Sequence, residues 1–197
     1  MFGVFVSKLV CIVGMAGSGK SIIADYLVKR GYGFVRFGQL TLDIVKARGL
    51  TPIEENERPI REEIRKKHGS GAYALLNIPK FDELLKKGSV VGDGLYSWSE
   101  YKILKEKYGS NCVVVAVFSP PKLRYARLAN RVLEAADVDL RHRPSTIEQS
   151  KARDFAEIEK IEKGGPIAMA DFTLQNISTI NQLLADLKKI LPQIEND

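Results

Sequence analysis

The stretch LVCIVGMAGSGKSIIADYLVKRG, residues 9–31, carries three patterns in succession. Leu9–Val13 is an unbroken apolar run closed by glycine, the mark of a strand buried on both faces of a parallel sheet. From Ser21 to Lys29 apolar residues such as Ile23 and Leu27 recur at helical spacing, and Gly31 supplies a stop. Between the two, Gly14-Met15-Ala16-Gly17-Ser18-Gly19-Lys20-Ser21 satisfies Gly-x4-Gly-Lys-Ser at every specified position.

Each of those positions has a physical task. Gly14, Gly17 and Gly19, with Ala16 and Ser18 between them, let successive backbone N–H groups turn inward around phosphate oxygens, where larger side chains would obstruct them. The helix that starts near Lys20 aims its positive end at the same anion. Lys20 reaches the β/γ oxygens of a nucleotide, and the Ser21 hydroxyl suits Mg2+. A glycine-rich turn matches this pattern by accident in on the order of one chain of this length in a hundred. The strand before the loop and the helix after it reduce that chance much further. The reading is a phosphate cradle for ATP with Mg2+.

Outward from the loop, strands and helices alternate, which is the sequence form of an α/β fold with a parallel sheet. Gly33–Phe37 reads as a second strand, Ser89–Gly94 as a third and Cys112–Phe118 as a fourth. Asp171–Leu174 reads as the last. Residues 39–87 are helical and more polar, broken near Gly49–Pro52 and His68–Gly71, and form an insertion rather than a separate domain. Ser119-Pro120-Pro121 opens a helix that runs to about Leu133, with proline in its favoured first turn. A charged segment then precedes a helix from about Thr146 to Lys163. The final helix bears an apolar stripe through Ile180, Leu183, Leu184 and Leu187.

The 197 residues suit one domain with a small insertion. With 45% hydrophobic and 27% charged residues, the composition is that of an ordinary globular chain. The net charge of +6 by itself fits a lysine-rich surface better than a polyanion site. Cys11 and Cys112 sit in or beside apolar runs without metal-ligand spacing, so they read as buried thiols in a reducing cytoplasm. The apolar start up to Val13 is interrupted by Ser7-Lys8 and lacks the plan of a leader peptide. No stretch approaches a membrane span.

Two further sets of residues point at phosphoryl chemistry. Asp93 ends the third strand, and in parallel α/β sheets the carboxyl ends of the strands line the ligand crevice. There it would hold Mg2+ or orient an acceptor hydroxyl. Arg124, Arg127 and Arg131 fall at i, i+3 and i+7, which predicts three guanidinium groups along one helix face. With Arg141 and Arg143 they make five arginines in twenty residues around a polar connection, the composition of a lid that closes on a transferring phosphoryl group.

The P-loop, VVGDG, VFSPPKLRYARLANR and ADFTLQN stand in the order found in small P-loop nucleotide and nucleoside kinases. Over residues 8–191 the chain resembles the adenylate-kinase-related and dephospho-coenzyme-A-kinase-like proteins. That resemblance implies a three-layer P-loop NTPase fold whose five parallel strands are ordered 2-3-1-4-5. It implies a single domain over 1–197, with an acceptor-binding helical insertion at about 38–87 and a lid at about 132–145. Asn176 would lie near the adenine, Arg127 and Arg131 along the phosphates, and Arg58 and Arg61 on the acceptor side. The chain departs from the pattern at Leu95-Tyr96-Ser97-Trp98, where relatives often carry an arginine. It departs again at Phe37-Gly38-Gln39-Leu40, where dephospho-coenzyme-A kinases carry an aspartate. Trp98 reads as a packing residue.

The expectation is an ATP-dependent kinase for a nucleotide, nucleoside or nucleotide-like acceptor. Lys20, Asp93, Arg127 and Arg131 would be catalytic, the loop with Arg124 and Asn176 would bind the nucleotide, and Ser21 and Asp93 would hold the metal. The rival is a nucleotide-dependent switch or RNA-associated P-loop ATPase, supported by the net charge. It lacks an aromatic-rich RNA-binding signature, so nucleic acid is not an expected partner. A catalytically dead scaffold that retains the loop is the third possibility.

Overall fold

A computed structural model describes residues 6–132 and 144–196. Most of the expected lid, including Arg141 and Arg143, lies outside the described residues. Five strands, β1 (Leu9–Val13), β2 (Gly33–Arg36), β3 (Val90–Asp93), β4 (Cys112–Phe118) and β5 (Phe172–Gln175), form one sheet in the order β2-β3-β1-β4-β5. Every pair is parallel, as the resemblance implies. The register sets Ile12 beside Asp93, Arg36 beside Asp93 and Val13 beside Ala116, so the loop after β1 emerges level with the ends of β3 and β4.

The central strand explains the layering. All five residues of β1 are fully buried, and their alternation feeds two cores. Leu9, Cys11 and Val13 pack with Tyr73, Phe81 and Leu104 under the helices α2 (Gln39–Ala47), α3 (Glu54–His68), α4 (Ala72–Leu85) and α5 (Trp98–Tyr108). Val10 and Ile12 pack with Ile23, Leu27, Leu183 and Leu187 under α1 (Lys20–Lys29) and α9 (Ile180–Asn196). Burying valine or leucine on both faces contributes roughly 1.5–3 kcal/mol per side chain, which is why the least polar runs of the chain became its centre.

Two elements differ from the sequence reading. α5 was not anticipated, although Ser97 and Glu100 form a complete capping box at its start. α6 (Pro121–Ala129) stops four residues earlier than expected, capped by the backbone of Asn130, so Arg131 lies beyond the helix. Further along the chain come α7 (Ile147–Ile161), capped by Thr146 and Gln149, and the short α8 (Gly164–Ala168). Cys11 and Cys112 are buried free thiols. Among the described residues no helix is long and apolar enough to cross a membrane.

Candidate active site

The turn between β1 and α1 is shaped by residues only glycine fits. Gly17 and Gly19 adopt φ of 77° and 104°, in the left-handed region that costs other residues strain. A Cβ on Gly17 would come within 2.8 Å of the Arg124 carbonyl, and one on Gly19 would collide with the Asn176 amide nitrogen. α1 starts with no side-chain cap, leaving its first N–H groups to the concave side of the loop. Lys20, in the first turn, donates from Nζ to the carbonyls of Gly14 at 2.8 Å and Met15 at 3.1 Å. Removal from water, and secondarily the neighbouring Lys163, lower its pKa to about 7.

Asp93 ends β3 with 7% exposure and lies within electrostatic reach of Lys20. Its backbone carbonyl accepts the Phe37 N–H, which carries the pairing of β2 with β3 one residue past Arg36. The Ser21 hydroxyl and the Asp93 carboxylate are hard oxygen donors. No group of three or more His, Cys, Asp or Glu that could hold a metal occurs among the described residues. This sparse set fits Mg2+, which keeps several waters and takes the rest of its ligands from phosphate.

The arginines divide by position. Arg124 is 3% exposed and lies behind the loop, not along the cavity. Its Nη1 donates to the Ala16 carbonyl at 3.0 Å and to Asp154 Oδ1 at 3.1 Å. Nη2 donates to Asp154 Oδ2 at 2.6 Å, and Nε to the Ser119 carbonyl at 3.0 Å. The expected row of three guanidinium groups on one face therefore gives way: Arg124 braces the loop from behind and is not among the residues that line the cavity. Arg127 is half-buried, donating to Ser119 Oγ and to the carbonyl and side-chain oxygens of Asn176. Arg127 and Arg131 line a cavity of about 460 Å³ with Gly19, Ser21, Asn176, Thr179 and Ile180.

Asn176, 3% exposed, both lines this cavity and holds the loop. It donates from Nδ2 to the Ser18 carbonyl at 2.9 Å, while its own carbonyl takes the Ser119 hydroxyl at 2.6 Å. The amide thereby pins the loop to the end of β5. Arg58 pairs with Glu62 on an exposed helix face, and Arg61 pairs with Glu54 and Glu57. Trp98 stacks on Tyr101 at 5.0 Å and packs against Gly165, as a packing residue should.

Several residues at this site were not singled out from sequence. Arg153 and Glu157, one turn apart on α7, join at 2.9 Å, and Glu157 also holds Lys163 at 2.6 Å. Lys163 sits 4.9 Å over the Tyr96 ring, and Tyr96 meets Tyr73 edge to face at 6.4 Å. Burial would raise the Glu157 carboxyl, but Lys163 and Arg153 override it and hold the group far below the usual range. The i, i+4 spacing of Arg153 and Glu157 was visible in the sequence, but their nearness to Lys20 was not, because the chain between them and the loop is a long crossover.

Residues 10–162 match a family model described as an AAA domain. A UPF0200 protein of Thermococcus kodakarensis is 34% identical over 94% of this chain and 97% of its own length. One from Sulfurisphaera tokodaii is 34% identical over 95% and 97%. In fold, the chain is similar to a shikimate kinase from Bacteroides thetaiotaomicron, with a TM-score of 0.57, 11% identity and coverage of 95% and 98%. It is also similar to a gluconokinase from Sinorhizobium meliloti, with a TM-score of 0.53, 13% identity and coverage of 96% of each chain. The fold is that of the shikimate kinase and the gluconokinase, and the chain belongs to the UPF0200 family and to the AAA-domain family that the model describes.

Proposed function

We propose that this protein is an ATP- and Mg2+-dependent kinase that passes the γ-phosphoryl group to a small acceptor of nucleotide, nucleoside or nucleotide-like kind. The observation that carries this reading is the placement of Lys20 and its loop next to Asp93, at the ends of neighbouring strands, with the α2–α4 insertion beyond. The loop amides and Lys20 bind the β/γ-phosphates, and the cavity flanked by Arg127 and Arg131 takes the nucleoside end. Ser21 and Asp93 hold Mg2+, which when bound neutralises charge across the β- and γ-oxygens. Asp93 also lies where an acceptor hydroxyl would be oriented, and the α2–α4 insertion forms the acceptor side. The buried free thiols agree with a cytoplasmic protein.

Purified protein with labelled ATP and a panel of nucleosides, nucleotides and dephospho-coenzyme A tests the proposal. The expected result is label on one acceptor class. Steady release of free phosphate with no labelled acceptor would favour a switch or an RNA-associated ATPase, whose support is the net charge of +6.

A further inference from the structure

Nucleotide and nucleoside acceptors differ in the group that would meet the γ-phosphoryl: a phosphate oxygen in one, an alcohol in the other. Tyr96, just beyond Asp93, brings its hydroxyl to the turns that follow β2 and β3. A Cβ on Gly38 would lie 3.2 Å from that hydroxyl, and one on Gly94 would lie 3.5 Å from it. Gly38 caps the start of α2, Gly94 follows Asp93 directly with φ of 89°, and Arg36 and Asp93 end their strands in register. The phenol therefore fills the gap at the carboxyl ends of β2 and β3, and glycine at both turns makes room for it.

The ring is held in that place from three directions. Lys163 stands 4.9 Å over it, Tyr73 meets it edge to face at 6.4 Å, and the Tyr96 N–H donates to Glu100 Oε2 at 3.0 Å. The neighbouring cations already have company. Glu157 binds Lys163 at 2.6 Å, Arg65 lies 5.2 Å over Tyr73, one ring removed from Tyr96, and Arg36 comes into register with Asp93. Burial raises the pKa of the Tyr96 hydroxyl, so it stays uncharged and can both donate and accept a hydrogen bond. A phosphate monoester would bring a further charge of about −1.5 to −2 beside a carboxylate that is only 7% exposed, whereas an alcohol brings none.

We propose that Tyr96 sets the specificity for the acceptor, admitting an uncharged alcohol as the reacting group and excluding a phosphate, a role that rests on the kinase reading above. In the step, the alcohol oxygen bonds to the γ-phosphorus as the bond to the β–γ bridging oxygen breaks. The electron pair stays with ADP, and the alcohol proton leaves to Asp93. Tyr96 exchanges no atoms. Its hydroxyl hydrogen-bonds the acceptor, and its ring limits the space between Gly38 and Gly94. The product is a phosphate monoester, not a diphosphate.

Label transfer from ATP to matched pairs, each a nucleoside and its 5′-monophosphate, with dephospho-coenzyme A as a further alcohol, tests the assignment. Wild type should place label in phosphate monoesters, with kcat/KM for the monophosphates at least about 100-fold below that for the best alcohol. Tyr96→Phe keeps the ring and should raise the KM for that alcohol by about 5- to 10-fold, leaving kcat and ATP affinity within about 2-fold. Gly38→Ala puts a methyl group against the hydroxyl and should raise the same KM while melting as a folded protein. Tyr96→Arg should narrow the preference for alcohols over monophosphates by at least about 10-fold. Label in diphosphates from wild type, or a Tyr96→Phe variant with an unchanged KM, overturns the assignment and leaves the kinase reading standing. Label on no acceptor overturns both.

Discussion

The ammonium of Lys20 rests on the carbonyls of Gly14 and Met15, so the loop itself holds this charge at the mouth of the nest. Replacing it with alanine removes the side chain proposed to hold the β/γ-phosphates while leaving the glycine geometry intact. Lys20→Ala should weaken ATP binding by at least about 10-fold and reduce turnover on the order of 100-fold or more, measured by calorimetry and label transfer. Glu100 makes a separate prediction about stability. It is fully buried, and its Oε2 accepts the N–H groups of Tyr96 and Ser97 while Oε1 has no hydrogen-bond partner. Burial raises its pKa to about 7 against the opposing pull of those N–H groups. The folded state therefore binds the proton that the unfolded chain, with a model value of 4.5, has already lost. Its contribution is full below the unfolded value and is lost as pH rises through about 7. Between those limits stability should fall by at most about 1.4 kcal/mol per pH unit from this group. Glu100→Gln keeps an oxygen for the cap and should flatten that slope, as read from denaturant midpoints at a series of pH values.

At the scale of elements, the loop is held from behind by α6 and α7. The Arg124–Asp154 pair has 4% and 6% of its side chains exposed, and Tyr125 adds a hydrogen bond to Asp154 at 2.9 Å. Asp154→Asn leaves a buried guanidinium short of its counter-charge and should cost about 3–5 kcal/mol in chemical denaturation. The double variant Arg124→Met, Asp154→Leu should recover most of that stability. It should still bind ATP more weakly than wild type, because the Ala16 carbonyl loses its brace. Equal affinity in the double variant would make the pair purely a matter of folding. These elements also show how far the sequence could be read. β1, the loop and β4 were plain because continuous apolar runs and a positional glycine pattern arise from local physics. α5 was missed even though Ser97 and Glu100 announced its start, since its apolar residues are few and its first turn follows a strand closely. Arg124 was misplaced for a different reason. Helical spacing gives the face on which a side chain stands, but what that face meets depended on Asp154, thirty residues away along the chain.

The whole molecule divides along β1. The loop, the first turn of α1, α6 and the segment from the end of β5 into α9 line the cavity of Arg127 and Arg131, while β3 and β2 lie on the other side of β1 and lead into α5 and α2. The two cores lie on opposite faces of the sheet, because successive β1 residues face opposite layers, and each core runs across strands on both sides of β1. The proposed nucleotide side was legible because its motif is contiguous; the proposed acceptor side is assembled from residues that come together only when Arg36 and Asp93 are in register. This division predicts that donor and acceptor binding can be altered separately. Arg131→Ala, at the cavity wall, should raise the dissociation constant for ATP several-fold and leave the acceptor KM near wild type. Arg36→Met, at the end of β2 beside Asp93, should raise the acceptor KM on the order of 10-fold while ATP affinity measured without acceptor stays unchanged. If each substitution moved both constants together, the halves would be one coupled site, and the sheet would not be what separates the two substrates.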